Sequence, residues 1–166
     1  MISEKIPATA IVPGSFDPMT VGHLDIVRRA AKAYEKVYLA VLINPSKEYL
    51  FDMETRKKIA EASVSDIENV TVVSDKGMLT DLARRLSCRY IVKGIRNEAD
   101  LEYEREMALY NKNAAPEIET VLLPCDAGLS DVSSSRVREL LAAGETEELK
   151  KLLPAGALEI VLDAKK

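Results

Sequence analysis

The stretch Val37-Tyr38-Leu39-Ala40-Val41-Leu42-Ile43-Asn44-Pro45 is apolar without interruption and then halts at two turn residues. A strand with one wet face alternates apolar and polar positions. An unbroken run therefore predicts a strand covered on both faces, as in a parallel sheet sandwiched between helices. Upstream, Thr9-Ala10-Ile11-Val12 runs into Pro13-Gly14, a second short buried strand closed by turn residues. Downstream, Val70 to Val73, Tyr90 to Val92 and Thr120 to Leu123 are three further candidates. Between the runs, apolar residues fall at helical spacing: Leu24, Val27, Ala31 and Tyr34, then Met78, Leu79, Leu82 and Leu86. Alternating strands and helices predict a doubly wound α/β fold, a five-stranded parallel sheet with helices on both faces.

Local signals set several boundaries. Asp52 ahead of Met53-Glu54-Thr55-Arg56 reads as an N-cap with an acidic first turn, opening a helix that runs to about Ser63. Asp100 to Lys112 has no Gly, Pro or β-branched residue and predicts a helix with a solvated acidic face. Ser133-Ser134-Ser135 precede Val137, Leu140 and Leu141, with Gly144 as the stop, and a last amphipathic piece follows Pro154. No solenoid-type repeat, low-complexity segment or linker interrupts the chain.

At 166 residues the chain is expected to form one domain, residues 1–166, with a core large enough to need no disulfide or metal staple. Its 23 Lys and Arg against 27 Asp and Glu leave a net charge of −4, which argues against a protein built to coat nucleic acid. Any anion site is therefore local. Cys88 and Cys125 stand in no metal-ligand pattern and fit a reducing cytoplasm. Met1-Ile2-Ser3-Glu4-Lys5 has no apolar signal region, and no later run approaches the ~18 apolar residues of a spanning helix, so a membrane partner is not expected.

In an open parallel sheet, ligands bind where loops leave the carboxyl ends of the strands. The first predicted strand leads into Pro13-Gly14-Ser15-Phe16-Asp17-Pro18 and Thr20-Val21-Gly22-His23; the second into Asn44-Pro45-Ser46-Lys47; the fourth into Lys93-Gly94-Ile95-Arg96; the fifth into a loop ending at Ser133-Ser134-Ser135. Hydroxyl, imidazole, ammonium and guanidinium groups thus gather at one edge of the sheet, which suits a polyphosphate. His23 is the sole histidine. A lone histidine is commonly a satisfied core or surface residue, but this one follows Gly22 at a helix N-terminus, where free N–H groups and the dipole favour an anion. The serines have a bland role as caps, and capping is compatible with holding phosphate. Arg138, in the first turn, either adds charge or faces solvent.

These segments, with Val92-Lys93-Gly94-Ile95-Arg96, Asp100-Leu101-Glu102-Tyr103-Glu104 and Val132-Ser133-Ser134-Ser135, resemble the bacterial phosphopantetheine adenylyltransferase family over nearly the whole chain. The Thr-x-Gly-His and triple-serine motifs belong to a wider superfamily of Rossmann-like nucleotidyltransferases. The Asp-x-Glu-Tyr-Glu segment and the Lys-Gly-x-Arg before it narrow the match. The resemblance implies transfer of AMP from ATP to 4′-phosphopantetheine, giving dephospho-CoA and pyrophosphate, with Mg2+ carried mainly by the ATP phosphates and an assembly of six subunits. It implies that His23 stabilises the transition state, and that Ser15 and the Phe16 N–H face the reacting phosphates. ATP contacts are implied for Gly94, Ile95, Arg96, Glu104 and the stretch Leu129, Ser130, Asp131, Val132, Ser133, Ser134, Ser135. Ser15, Lys47, Leu79 and Lys93 are implied to hold the phosphopantetheine. Position 93 is Lys where many relatives carry Arg, which keeps charge but loses the planar fork. Position 129 is Leu where many place an aromatic, leaving adenine stacking there open.

In the Gly77-Met78-Leu79-Thr80 stretch, Met78 reads as a core residue and Leu79 as a helix-edge residue able to face the crevice. Two alternatives stay open. A sister nucleotidyltransferase acting on nicotinamide mononucleotide or glycerol phosphate would share the His23 and serine sites with a different acceptor pocket. A non-catalytic nucleotide-binding regulator would have no need to retain His23, Lys47 and Arg96 together.

Overall fold

The computed structural model describes residues 4–165. Met1, Ile2 and Ser3, part of the stretch read above as lacking a signal region, lie outside the described residues. In chain order the elements are β1 (Ile6–Gly14), α1 (Val21–Ala33), β2 (Tyr34–Leu42), α2 (Met53–Ser63), β3 (Val70–Asp75), α3 (Leu79–Arg85), β4 (Tyr90–Ile95), α4 (Glu98–Ala114), β5 (Glu119–Pro124), α5 (Ser134–Ala143), α6 (Thr146–Leu152) and α7 (Leu158–Lys165). All four strand pairings are parallel, in the order β3-β2-β1-β4-β5.

Side-chain alternation along the strands sorts the core into two layers. Ala10, Val12, Leu39 and Val92 pack with residues of α1, α2, α5, α6 and α7, among them Val27, Ile59, Val137, Leu149 and Val161. Their neighbours Ile11, Ala40 and Ile91 point the other way, to Leu82 and Ala83 of α3 and to Ala115 and Ile118 beyond α4. A strand buried on both faces can be apolar throughout, which is why β2 reads as it does.

Three caps form as their residues dictate. Asp52 accepts the Thr55 N–H at 2.8 Å, Ser133 accepts that of Arg136 at 3.1 Å, and Gly144 ends α5 in the left-handed region at φ 74°. Tyr34 corrects an expectation: it caps α1 and opens β2 rather than continuing the helical stripe. Its helical spacing is matched by a buried place opposite Ile6, because α1 passes into β2 without a loop. Met78 also departs from the core role expected of it, standing 48% exposed at the N-cap of α3, ahead of the residues that pack. Sequence periodicity does not reveal α6, a helix of two turns between Gly144 and Pro154.

Candidate active site

The strand order reverses direction at β1: the chain leaves β1 toward β2 and later returns to β4 on the other side. Loops diverge at such a point and open a crevice at the carboxyl ends of the strands. Here the crevice has a volume of about 520 Å³ and is lined from the exits of β1, β2, β4 and β5 and from the first turns of α1 and α5.

The β1 exit is held by its own side chains and by the next strand's loop. Phe16 takes φ 48°, unusual for a bulky residue, and its ring folds back so closely that a Cβ on Gly14 would lie 2.9 Å from it. The Phe16 ring also meets His23 edge-on at 5.0 Å. Buried Asp17 accepts the Leu50 N–H at 2.8 Å and the Phe51 N–H at 3.0 Å, tying the loop after β2 beneath the loop after β1. Arg56, 1% exposed, donates to the carbonyls of Ser15, Leu42 and Phe51 and so clamps the same two loops from below.

His23 opens α1 in a reciprocal cap. Thr20 Oγ1 accepts the His23 N–H at 3.3 Å, while His23 Nδ1 accepts the Thr20 N–H at 3.0 Å. A neutral imidazole carries one proton, so an accepting Nδ1 places it on Nε2. Burial, reinforced by the positive charges of Lys93 and Arg96, lowers the His23 pKa to about 4. The ring is therefore a neutral N–H donor at physiological pH, held from behind by Thr20. At Gly22 a Cβ would sit in ordinary contact, 3.5 Å from Thr20 Oγ1, so packing does not itself demand the glycine before His23.

On the far side, Arg96 joins the β4 and β5 loops. It donates to Asp100 at 2.9 Å and to the Val132 carbonyl at 3.4 Å. Burial alone would raise the Asp100 pKa, but Arg96 outweighs it and holds the carboxyl below its usual range. Lys93 and Glu104 form an ion pair at 3.2 Å, facing across from β4 to α4. Gly94 admits the close passage of α1: a Cβ would lie 2.8 Å from Ile26 Cγ1. The three serines divide their work, Ser133 capping α5, Ser134 donating to the Pro18 carbonyl at 2.8 Å and Ser135 accepting from Arg138 at 3.1 Å. The first N–H groups of α5 thus point into a site bordered by hydroxyls and cations.

The structure gathers Ser15, Phe16, His23, Lys47, Lys93, Gly94, Arg96, Glu104, Leu129, Val132 and Ser133 to Ser135 around this one crevice. Ile95 ends β4 beside it, while Ser130 and Asp131 are exposed on the loop leading into α5 and do not line it. Leu79 lies elsewhere. It lines a side pocket of about 80 Å³ with Ile91, Met107, Asn111 and Thr120, and Lys93 and Glu104 border both spaces. Arg138 does more than face solvent, donating to the Asp17 carbonyl at 2.8 Å. Tyr49 and Arg56 also line or underpin the crevice, and no sequence signal points to them. Tyr49 lies 3.3 Å from Ser15 Oγ, 34 residues away, and Arg56 donates to the Ser15 carbonyl across 41, contacts beyond the reach of local pattern.

Residues 11–140 match the cytidylyltransferase-like family. A phosphopantetheine adenylyltransferase of Clostridium tetani is 41% identical over 150 residues, covering 90% of this chain and 92% of the relative. The chain belongs to the phosphopantetheine adenylyltransferases. The homonymous protein of Heliobacterium modesticaldum is 46% identical over 135 residues, 81% of this chain and 80% of its own. Among solved structures, the Plasmodium falciparum nicotinic acid mononucleotide adenylyltransferase shares the fold with a TM-score of 0.68 at 13% identity, over 95% of this chain and 96% of that one.

Proposed function

We propose that this crevice is where the chain, an adenylyltransferase of coenzyme A biosynthesis, transfers AMP from ATP to 4′-phosphopantetheine, releasing pyrophosphate and forming dephospho-CoA. The observation that carries the site assignment is the neutral, back-bonded His23 between two cationic strand exits. The acceptor phosphate attacks the α phosphorus directly, so no protein nucleophile is required and the protein contributes position and charge stabilisation. His23 Nε2–H donates to the oxygen that gains charge as the α phosphorus is attacked. Lys47, exposed at the crevice mouth, and Lys93 hold the acceptor phosphate from two strand ends, with Ser15 between them. Gly94, Ile95, Arg96, Glu104, Leu129, Val132 and Ser133 to Ser135 take ATP, its β and γ phosphates lying against the N-terminus of α5.

The side pocket supports a place for the pantetheine arm. It adjoins the crevice through Lys93 and Glu104 and offers Leu79, Ile91 and Met107 as an apolar wall with Asn111 and Thr120 for hydrogen bonding. Magnesium, we propose, enters with ATP and supplies charge screening for the polyphosphate. Both Asp17 carboxylate oxygens accept backbone N–H groups, and Asp100 and Glu104 pair with Arg96 and Lys93. Asp17, Asp100 and Glu104 are thus engaged by the protein's own donors, which suits a cation held mainly by phosphate oxygens and water. Tyr103, Met107 and Tyr110, at i, i+4 and i+7, stand exposed on one face of α4, an apolar stripe that supports a subunit interface in a six-membered assembly. Among the described residues no helix is long and apolar enough to cross a membrane, and we place the chain in the cytoplasm. A pyrophosphate-release screen over phosphopantetheine, nicotinamide mononucleotide and glycerol phosphate tests the acceptor assignment. Release with phosphopantetheine alone is expected.

A further inference from the structure

We infer that Tyr49 is a positioning residue for this reaction, its hydroxyl orienting Ser15 so that the serine proton is directed at the acceptor's phosphate. The inference rests on the assignment of the Ser15 and Lys47 end of the crevice to that phosphate. Tyr49 lines the crevice beside both residues. Its Oη accepts the Asn44 N–H at 2.6 Å and lies 3.3 Å from Ser15 Oγ. The Tyr49 O–H has two acceptors within reach, the Asn44 carbonyl at 3.4 Å and Ser15 Oγ at 3.3 Å. An anion beside Ser15 accepts the serine's O–H, and the tyrosine's O–H then turns from the Asn44 carbonyl to the lone pair on Ser15 Oγ. The result is a chain from Asn44 N–H through Tyr49 O–H and Ser15 O–H to a phosphate oxygen, each donor polarised by the one behind it.

The placement of Tyr49 is not accidental to the loop. The Arg56 guanidinium lies 4.0 Å from the ring centroid, and the same guanidinium donates to the Ser15 carbonyl at 2.7 Å. One buried cation therefore fixes both members of the hydroxyl pair, so their spacing is built into the fold. Tyr49 sits two residues beyond Lys47 and 34 residues from Ser15, which brings the β1 and β2 exits into register at the phosphate.

Tyr49→Phe removes the hydroxyl and keeps the ring on Arg56. It is expected to raise KM for phosphopantetheine by roughly fivefold while leaving KM for ATP near wild type, with a modest fall in melting temperature from the Asn44 N–H that loses its acceptor. In a Ser15→Ala background the relay has no terminal proton, and Tyr49→Phe is expected to have no further effect. A wild-type KM in the single variant overturns the inference. So does an undiminished penalty in the Ser15→Ala background, which would assign Tyr49 to holding the Asn44–Lys47 loop. Calorimetric titration with inorganic phosphate keeps this inference separate from the acceptor's identity. Weaker phosphate binding by Tyr49→Phe only when Ser15 is present supports the relay even if phosphopantetheine were not the acceptor, and equal binding refutes it.

Discussion

Replacing His23 with alanine isolates the donor on which the chemistry depends. The Thr20 N–H, 3.0 Å from Nδ1, fixes the tautomer before substrate arrives, so the Nε2 proton is already aimed when charge develops on the α phosphate. Loss of one such preorganised donor costs on the order of 10²–10³ in kcat, about 3–4 kcal/mol of transition-state stabilisation, with little change in ATP affinity. The pH profile separates this role from that of a general base. A His23 pKa near 4 means the ring of the free enzyme stays neutral through the ordinary working range, so wild-type kcat/KM is expected to show no inflection from this group near 6.5. Stability behaves differently. The folded-state pKa lies below the unfolded value, so the unfolded chain binds more protons, and stability falls as pH drops from about 6.5 toward 4. The full difference is worth about 3 kcal/mol, and His23→Ala should lose that part of the acid sensitivity. Steady-state kinetics from pH 5 upward and urea titrations of both proteins supply the readouts. A near-normal turnover in His23→Ala would refute the donor role, and a kcat/KM inflection near 6.5 that the substitution removes would refute the neutral ring.

Other perturbations address the remaining parts of the crevice. Lys47→Ala and Lys93→Ala should each raise KM for phosphopantetheine by roughly 10- to 100-fold, the range for losing a charge-assisted contact, with a smaller effect on ATP. A fall in ATP affinity alone would assign these lysines to the wrong ligand. Leu79→Asp, checked for folding by circular dichroism, should impair phosphopantetheine use far more than ATP use, because it puts a carboxylate into the side pocket's apolar wall. Equal losses for both substrates would detach that pocket from the acceptor. Light scattering should give a mass six times the 18.3 kDa of one chain, and Tyr110→Glu on α4 should lower it; a monomeric wild type would leave the exposed apolar stripe without this role.

The parts of this protein legible in its sequence are those set by neighbouring residues. The continuous apolar run of β2, the Asp52 and Ser133 caps and the Gly144 stop each depend on a few adjacent side chains. The strand-exit rule then places Ser15, Lys47, Lys93 and Arg96 at one edge without any knowledge of their contacts. Tyr34 misleads because a helix that passes straight into a strand leaves no turn residue to mark the change, and its spacing satisfies both. Met78 misleads because the apolar stripe begins one residue before the helix does. What local pattern does not disclose is the underside of the site. Arg56 looks like one more polar residue of an amphipathic helix, yet among the described residues it is the largest of the fully buried side chains, and its carbonyl partners come from both flanking loops. Asp17 likewise reads as a turn aspartate until Leu50 and Phe51 bring their N–H groups to it.

The most direct test of acceptor and reaction together is to incubate the protein with ATP, Mg2+ and 4′-phosphopantetheine and identify the product by mass spectrometry. Dephospho-CoA formed in step with pyrophosphate is the predicted result, with nicotinamide mononucleotide a poor acceptor under the same conditions. Efficient adenylation of the mononucleotide and none of phosphopantetheine would contradict the account.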